Sequence, residues 1–378
     1  MPDLLVYGDT LRSPELRHEV PLLIPDGFLY AERNGRRHVA ISALEVPRLR
    51  ELGGFEILSW DQLGWEELLE QGVDREELYL HIAERACQSI GLKSAVVPGS
   101  FPLELGDHLR QAGIELRVDR DAFSERRRAK NETELEGMRR AQRAAEAAMD
   151  AARELLRNAE IRGESLILDG EPLTTERIKR AIGDVFTEHD AVADEFIVSH
   201  GPQSAIGHEL GSGPILAGEP IVIDLWPRDR ETSCHADMTR TFCVGEPPEE
   251  LVEYHRLVKQ ALDEAIEGLR AGVQGKELFQ KTCELFESYG YRTQLSKDLG
   301  ETLEEGFYHG LGHGVGLEVH EPPGLSLGGT RELVAGDVVT VEPGLYRPGF
   351  GGCRLEDLVL VTEDGAENLT DYPYDLGP

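Results

Sequence analysis

Three histidines and several glycines share the segment Phe307–Pro323, which reads FYHGLGHGVGLEVHEPP. Glycine buries no side chain and loses much backbone entropy on folding, so such a segment fills a core poorly. It does let imidazole rings and backbone come close to a bound ion or substrate. We therefore interpret this segment as one wall of an active site, with His309, His313 and His320 as its reactive groups.

Carboxylates interrupt apolar, strand-like runs in the same half of the chain. Asp224 lies within IVIDLW and Asp237 stands before MTRTFCV, so two strands joined by a turn would bring both together. Glu342 follows VVTV, and Glu356 precedes LVLV. A carboxylate in a buried strand is costly unless it is paired or binds a metal. One such residue could be a satisfied core acid, but four beside a histidine cluster favour a metal site.

Four carboxylates and one imidazole indicate which ions such a site would take. They suit two divalent cations, Mn²⁺ or Co²⁺ first and Zn²⁺ or Fe²⁺ as alternatives, better than a single structural zinc ion. Bridging carboxylates can hold two ions roughly 3.5–4 Å apart. A water shared by the two ions would ionise near neutral pH and could attack a carbonyl carbon. The predicted chemistry is therefore hydrolysis.

The region before these motifs, residues 1–127, alternates short apolar runs with helical patterns. LLVYG, GFLYAER, RRHVAIS, KSAVVPG and IELRVDR are predicted strands, and WEELLEQGVDREELYLHIAERACQSIGL is predicted to form helices. This alternation predicts a smaller α/β domain without a catalytic motif. We interpret its histidines as ordinary surface or core residues: His18, His38, His81 and His108.

The motifs belong to residues 128–378, which begin with a long Ala-rich helix. Asn131 and Glu134 have the spacing of a capping box, and the helix is predicted to run to about Asn158. A second helix and a strand follow, and the order of two helices and acidic strands then occurs again from about residue 248. An internal duplication is a hypothesis, because the two halves do not match residue by residue.

The composition limits the classes of binding partner and the cellular compartments that we expect for the protein. The net charge of −32 repels nucleic acid and acidic membranes. Neither a signal peptide nor an apolar run of bilayer length is evident, so we expect a cytoplasmic protein. The five widely spaced cysteines favour reduced, buried thiols. The acidity fits a solvated, repulsive surface or adaptation to high salt, and both readings stay open.

Three segments together resemble a known enzyme family. HGLGHGVGLEVHEPP, TVEPGLYRPGFGGCRLED and DLW…ADMTRTF are similar to the metallopeptidases that include methionine aminopeptidase, Xaa-Pro aminopeptidase, Xaa-Pro dipeptidase (prolidase) and creatinase. The motifs span about residues 200–357, and the separate first domain is typical of the prolidase and creatinase branch. The resemblance implies an α+β protein. A pita-bread catalytic domain over 128–378 would follow a creatinase-like α/β domain over 1–127.

The resemblance also implies a set of metal ligands. The matching positions are Asp224, Asp237, His313, Glu342 and Glu356. Glu342 would in addition act as the acid/base for the attacking water. Asp237 follows Asp224 by 13 residues. The usual family spacing is shorter by about two, and a two-residue insertion preserves the alternation of strand faces.

Further residues are implied to act on the substrate or on a ligand. His309 and His320 would hydrogen-bond the substrate carbonyl or the oxyanion, where positioned donors count most. His208 matches a substrate-facing histidine, although it follows Gly207 where prolidase-like members often have proline. Arg354 would orient a ligand carboxylate.

The implied activity is hydrolysis of the peptide bond that precedes proline. The substrates would be Xaa-Pro dipeptides or short peptides, with a dipeptidase slightly favoured over an aminopeptidase. The branch implies a homodimer. The alternatives are a creatinase-like C–N hydrolase, another small-molecule enzyme on the same fold, or a non-catalytic binding protein. Members of those classes tend to lose ligands, and all five positions are filled here.

Overall fold

The computed structural model describes residues 2–378 and divides the chain into two compact units, with the boundary between Arg127 and Arg128. The strands of the first unit are β1 Leu4–Gly8, β2 Phe28–Arg33, β3 Arg36–Ile41, β4 Glu56–Ser59, β5 Ser94–Val97 and β6 Glu115–Val118. Its helices are α1 Pro14–Glu19, α2 Val46–Leu52, α3 Trp65–Glu70, α4 Leu78–Ser89, α5 Leu103–Gln111 and α6 Arg120–Arg128, which ends at the boundary.

The six strands form one mixed sheet in the order β4-β3-β2-β1-β5-β6. Successive residues of a strand point to opposite faces. Leu4 and Val6 accordingly pack on one face with residues of α1 and α2, whereas Leu5 packs on the other with residues of α4 and α5. Because both faces are covered, the central strands β1, β2 and β5 carry runs of buried apolar residues. The predicted strands and helices of this region are confirmed.

The second unit begins with the long helix predicted from its capping box. The helices and strands of its first half are α7 Glu132–Asn158, β7 Glu160–Arg162, β8 Ser165–Leu168, β9 Glu171–Pro172, α8 Thr175–Glu188, β10 Ala191–Val192, β11 Ile197–His200, β12 Ile221–Leu225, β13 Arg228–Asp229 and β14 Met238–Phe242. The Asn131 side chain accepts from the Glu134 amide, and the Glu134 carboxylate accepts from the Asn131 amide, both at 3.0 Å. The capping box is therefore present.

The second half of this unit supplies the remaining elements. They are α9 Glu249–Gly268, α10 Gly275–Ser288, β15 Gly312–Gly314, β16 Glu321–Leu325, β17 Val338–Val341, β18 Gly344–Arg347, β19 Gly351–Arg354, β20 Asp357–Val361 and β21 Ala366–Asn368. Among residues 2–378, no helix combines the length and apolarity that crossing a bilayer requires.

Each half of the second unit places two helices on an antiparallel sheet. In the first half, buried residues of α7 and α8 pack on the sheet β11-β12-β14. In the second half, α9 and α10 pack on the sheet β16-β15-β17-β20-β21. A β-bridge between Thr239 and Glu356 joins the two sheets. The carboxylates singled out in the sequence lie at this junction.

Candidate metal centre

The hairpin β12–β14 positions the two aspartates. The strands are antiparallel, and Asp224 pairs directly with Thr239. Residues two apart on a strand share a face, so Asp237, just before β14, points to the same side as Thr239 and Asp224. A bridge between Arg228 and His235 closes the turn that joins the two aspartates.

The second sheet delivers the glutamates and the histidine. Val341 pairs with Asp357, so Glu342 and Glu356 flank the last rung of the β17–β20 ladder. His313 lies in β15, and the residue after it, Gly314, pairs with Val339 of β17. Three strand ends of one sheet therefore face the aspartates of the other.

The distances show that these side chains converge. His313 Nε2 lies 3.7 Å from Asp237 Oδ2 and 3.6 Å from Glu342 Oε1. One ligand atom each from Asp237, His313 and Glu356 lies within 4.8 Å of the others. Arg354 Nη2 donates to Asp224 Oδ2 at 2.6 Å, and the Thr239 hydroxyl donates to Glu356 Oε2 at 2.6 Å. All five predicted ligand positions belong to one site, and Arg354 contacts a ligand carboxylate as expected.

Two features of these residues fit a bound cation. Asp224 Oδ1 and Asp237 Oδ1 are buried and have no hydrogen-bond partner within residues 2–378. Burial, followed by the charges of Glu356, Asp224 and Glu342, raises the pKa of Asp237 well above its usual range. Burial and the neighbouring acids raise the pKa of Glu356 in the same way. Divalent ions would satisfy the orphaned oxygens and offset the repulsion among the carboxylates.

Without metal, the stability of the chain should depend on pH in a defined direction. Burial, with the charge of Asp224, raises the pKa of Glu342 to about 8 from its ordinary 4.5. Between these values the folded state binds the extra proton, so the free energy of unfolding falls as the pH rises from about 5 to 8. Urea unfolding of chelator-treated protein across this range measures the slope.

The matched variant for this measurement is Glu342→Gln, which removes the titrating group. Its unfolding free energy should fall less steeply with pH than that of the unchanged chain. Added Mn²⁺ should restore the stability of the unchanged chain at the upper end of the range, because metal binding favours the ionised carboxylates. Equal slopes for the two proteins would contradict the assignment.

A directed chain of hydrogen bonds ends at His309. Its Nδ1 lies 2.7 Å from the Gly310 carbonyl, which can only accept, and burial lowers the His309 pKa to about 3. The neutral ring therefore carries its proton on Nδ1, and Nε2 accepts from the Tyr346 hydroxyl at 2.9 Å. Tyr346 in turn accepts from Arg354 Nη1 at 2.9 Å. In this arrangement both ring nitrogens of His309 already have protein partners, so the substrate contact expected of His309 stays a prediction.

The other two histidines line the cavity over the site. The His320 ring lies 4.2 Å from the His313 ring, centroid to centroid. His208 lines the same cavity, which has a volume of about 720 Å³. His208 and His320, both predicted to contact substrate, thus line the same cavity as the carboxylates.

Sequence reasoning missed the apolar wall of this cavity. It also missed Tyr346, which links His309 to Arg354 by hydrogen bonds. The wall consists of Ile197, Ile206, Trp226, Tyr308 and Val319. Trp226 follows β12 directly, so its nearness to Asp224 was the one signal that the sequence carried. Cys353, beside the site in sequence, is buried with a pKa raised to about 12, which agrees with inert packing.

Comparison with known proteins agrees with this geometry. Residues 136–363 match metallopeptidase family M24. The Xaa-Pro dipeptidase of Pyrococcus furiosus is 38% identical over 185 residues, which is 49% of this chain and 49% of that protein. The Xaa-Pro dipeptidase of Pyrococcus horikoshii is 37% identical over 185 residues, with the same shares. The matched region thus spans about half the length of these curated relatives.

Solved structures extend the likeness over the whole chain. The prolidase from Pyrococcus horikoshii OT3 superposes with a TM-score of 0.77 at 26% identity and covers 100% of this chain and 95% of its own. The X-Pro aminopeptidase from Thermotoga maritima has a TM-score of 0.78 at 24% identity, over 98% of this chain and 96% of its own, and shows the shared fold. The predicted α+β fold, with a pita-bread catalytic domain after a smaller domain, is confirmed. With more than half of its length matched, the chain belongs to metallopeptidase family M24.

Proposed function

We propose that this protein is a dinuclear, metal-dependent peptidase that cleaves the bond before proline, with Xaa-Pro dipeptides as its preferred substrates. The observation that carries the proposal is that four acidic residues and His313 line one cavity, where Asp224 Oδ1 and Asp237 Oδ1 are buried without a hydrogen-bond partner within residues 2–378. All five ligand positions are filled, which favours a peptidase over a creatinase-like or non-catalytic member. Bound divalent ions would polarise the scissile carbonyl and lower the pKa of water.

Glu342 is the residue that we assign to proton transfer. Its Oε1 faces His313 Nε2 at 3.6 Å, and its Oε2 lies on the other side, 4.0 Å from His309 Nδ1. One oxygen can therefore serve a metal ion while Oε2 takes and returns a proton. A carboxyl group whose pKa is raised toward neutrality suits this task.

We assign the oxyanion contact to His320 and a positioning role to His309. His320 lines the cavity and is placed to donate to the developing oxyanion. His309 fixes the Tyr346 hydroxyl, and Tyr346 together with Asp224 holds the Arg354 guanidinium. Arg354 is thereby kept beside Asp224. His309 thus acts through Tyr346 and Arg354 to position the Asp224 carboxylate.

The cavity wall supports a proline substrate. Proline has an apolar ring and, in a peptide bond, no N–H to satisfy. Trp226, Ile206 and Val319 offer apolar surface next to the carboxylates. Arg354 already donates hydrogen bonds to Asp224 and Tyr346. We therefore assign His208 to bind the free carboxylate of a dipeptide.

Substrate length separates a dipeptidase from an aminopeptidase. Ala-Pro and Ala-Pro-Ala should be incubated with the Mn²⁺-loaded protein, with Ala-Ala as the control for the proline requirement. We expect Ala-Pro to be cleaved fastest and Ala-Ala to be nearly inert. Cleavage of the tripeptide alone would overturn the dipeptidase assignment, and no hydrolysis of any peptide would overturn the peptidase.

The remaining expectations stay predictions. The named relatives are dipeptidases, and the aminopeptidase neighbour shares only the fold, so the preference for dipeptides draws support from the relatives. We propose with it Mn²⁺ or Co²⁺ as the working ions, a homodimer and a cytoplasmic location. A repulsive surface and adaptation to high salt both stay open as readings of the acidity.

A further inference from the structure

A second cluster of metal-ligating side chains lies in the first unit, apart from the peptidase chemistry. His81 and Glu84 are three residues apart on α4, so they share one helix face. His108 comes from α5. One ligand atom from each of the three side chains lies within 4.8 Å of the others.

The contacts within the cluster are those of a nearly assembled site. His108 Nε2 lies 2.8 Å from Glu84 Oε2. The His81 and His108 rings lie 5.1 Å apart, centroid to centroid, at an interplanar angle of 84°. A tetrahedral ion with bonds of about 2.0–2.1 Å would hold its ligand atoms roughly 3.3 Å apart. The 2.8 Å distance between His108 Nε2 and Glu84 Oε2 and the 4.8 Å limit on the other ligand-atom distances lie on either side of that spacing.

Gln88, one turn later in the same helix, holds the orientation of Glu84. Gln88 Nε2 donates to Glu84 Oε1 at 2.8 Å, which directs Oε2 toward the imidazoles. Such a partner, which fixes the carboxylate without contacting the ion, is a usual feature of metal sites. The His108 and Glu84 side chains are 22% and 26% exposed, so an ion can reach them from solvent.

The donor set indicates the ion. Two neutral imidazole nitrogens and one carboxylate oxygen form a zinc set that leaves a position for water. The peptidase centre offers four carboxylates to one imidazole, which suits harder ions. We propose that His81, Glu84 and His108 bind one Zn²⁺ ion, independently of the peptidase centre. The ion would tie α4 to α5 and stabilise the first unit.

Zinc stoichiometry tests this site. The metal-free full chain and the variant His81→Ala/His108→Ala are titrated with Zn²⁺ by calorimetry. The unchanged chain should bind one equivalent more than the variant. Zn²⁺ should also raise its thermal midpoint by more than that of the variant, because the ion binds only the folded unit. The rate of Mn²⁺-supported hydrolysis should be the same for both proteins.

Two further variants keep the test decisive. Glu84→Gln preserves the volume and hydrogen-bonding capacity of the side chain and should weaken zinc binding at this site by at least about 10-fold. The matched control is His38→Gln, because His38 pairs with Glu56 at 3.2 Å in the same unit and is outside the cluster. It should leave the stoichiometry unchanged. Equal zinc equivalents in the unchanged chain and the double variant, or full affinity in Glu84→Gln, would overturn the proposal.

Discussion

The substitution Asp237→Asn is expected to lower kcat/KM for Ala-Pro by about a thousandfold or more, because ions worth several kcal/mol to the transition state are lost. Asp237 is 4% exposed, and its Oδ1 has no hydrogen-bond partner within residues 2–378. The asparagine keeps the shape of the side chain but removes the negative charge that would bind the proposed metal ions. Mass spectrometry measures the loss of bound metal, and steady-state kinetics on the same preparation measures the loss of kcat/KM.

The control for this variant is a buried aspartate on the same hairpin. Asp229 accepts from Arg140 Nε at 2.9 Å and from the Thr232 hydroxyl at 2.7 Å, so its oxygens already have protein partners. Asp229→Asn should lower the thermal midpoint while the protein retains its metal. If Asp237→Asn keeps both its metal content and its rate, Asp237 is not a ligand.

The histidines of Phe307–Pro323 should separate into two functional kinds. His313→Ala should weaken metal binding by about 10–100-fold or more, since a direct ligand counts at least as much as its supports. His320→Ala should retain metal and lose about 10²–10³-fold in kcat, the usual cost of one oxyanion donor. Metal content and kcat, measured for each variant at saturating substrate, give the comparison.

His309 and a histidine that does not line the cavity, His200, complete this comparison. His309→Ala should retain metal and lose rate through Tyr346 and Arg354, and Tyr346→Phe should reproduce its effect. His200 serves as the control, because its ring nitrogens face Glu219 Oε2 at 2.9 Å and the Ser212 carbonyl at 3.1 Å. His200→Gln should change neither metal content nor kcat. Equal metal loss in the His313 and His320 variants would refute this division of roles.

Much of the fold was predictable because its signals are local. The capping box at Asn131 and Glu134 marks the start of α7, and the apolar runs around Asp224 and Glu342 mark β12 and β17. The apolar wall was not predictable. Ile206 and Val319 lie in irregular segments, where neither helical nor alternating periodicity shows which way a side chain points.

The first unit shows the same limit. His81 and His108 have no motif spacing and were interpreted as ordinary residues, yet the packing of α4 on α5 brings them together with Glu84. Their separation in sequence reflects the intervening strand β5. No local pattern could have revealed this pairing.

The sequence by itself determined the kinds of donor and the strands beside them, because each carboxylate lies within or next to a short apolar run whose conformation is set locally. Only the tertiary structure decided what each donor faces. Thr239 and Glu356 are 117 residues apart, and their contact joins the two sheets. The proton of His309 is likewise assigned by the Gly310 carbonyl and the Tyr346 hydroxyl. Hydrogen-bond direction depends on partners that folding brings close, so the sequence could name His309 but could not show which way it bonds.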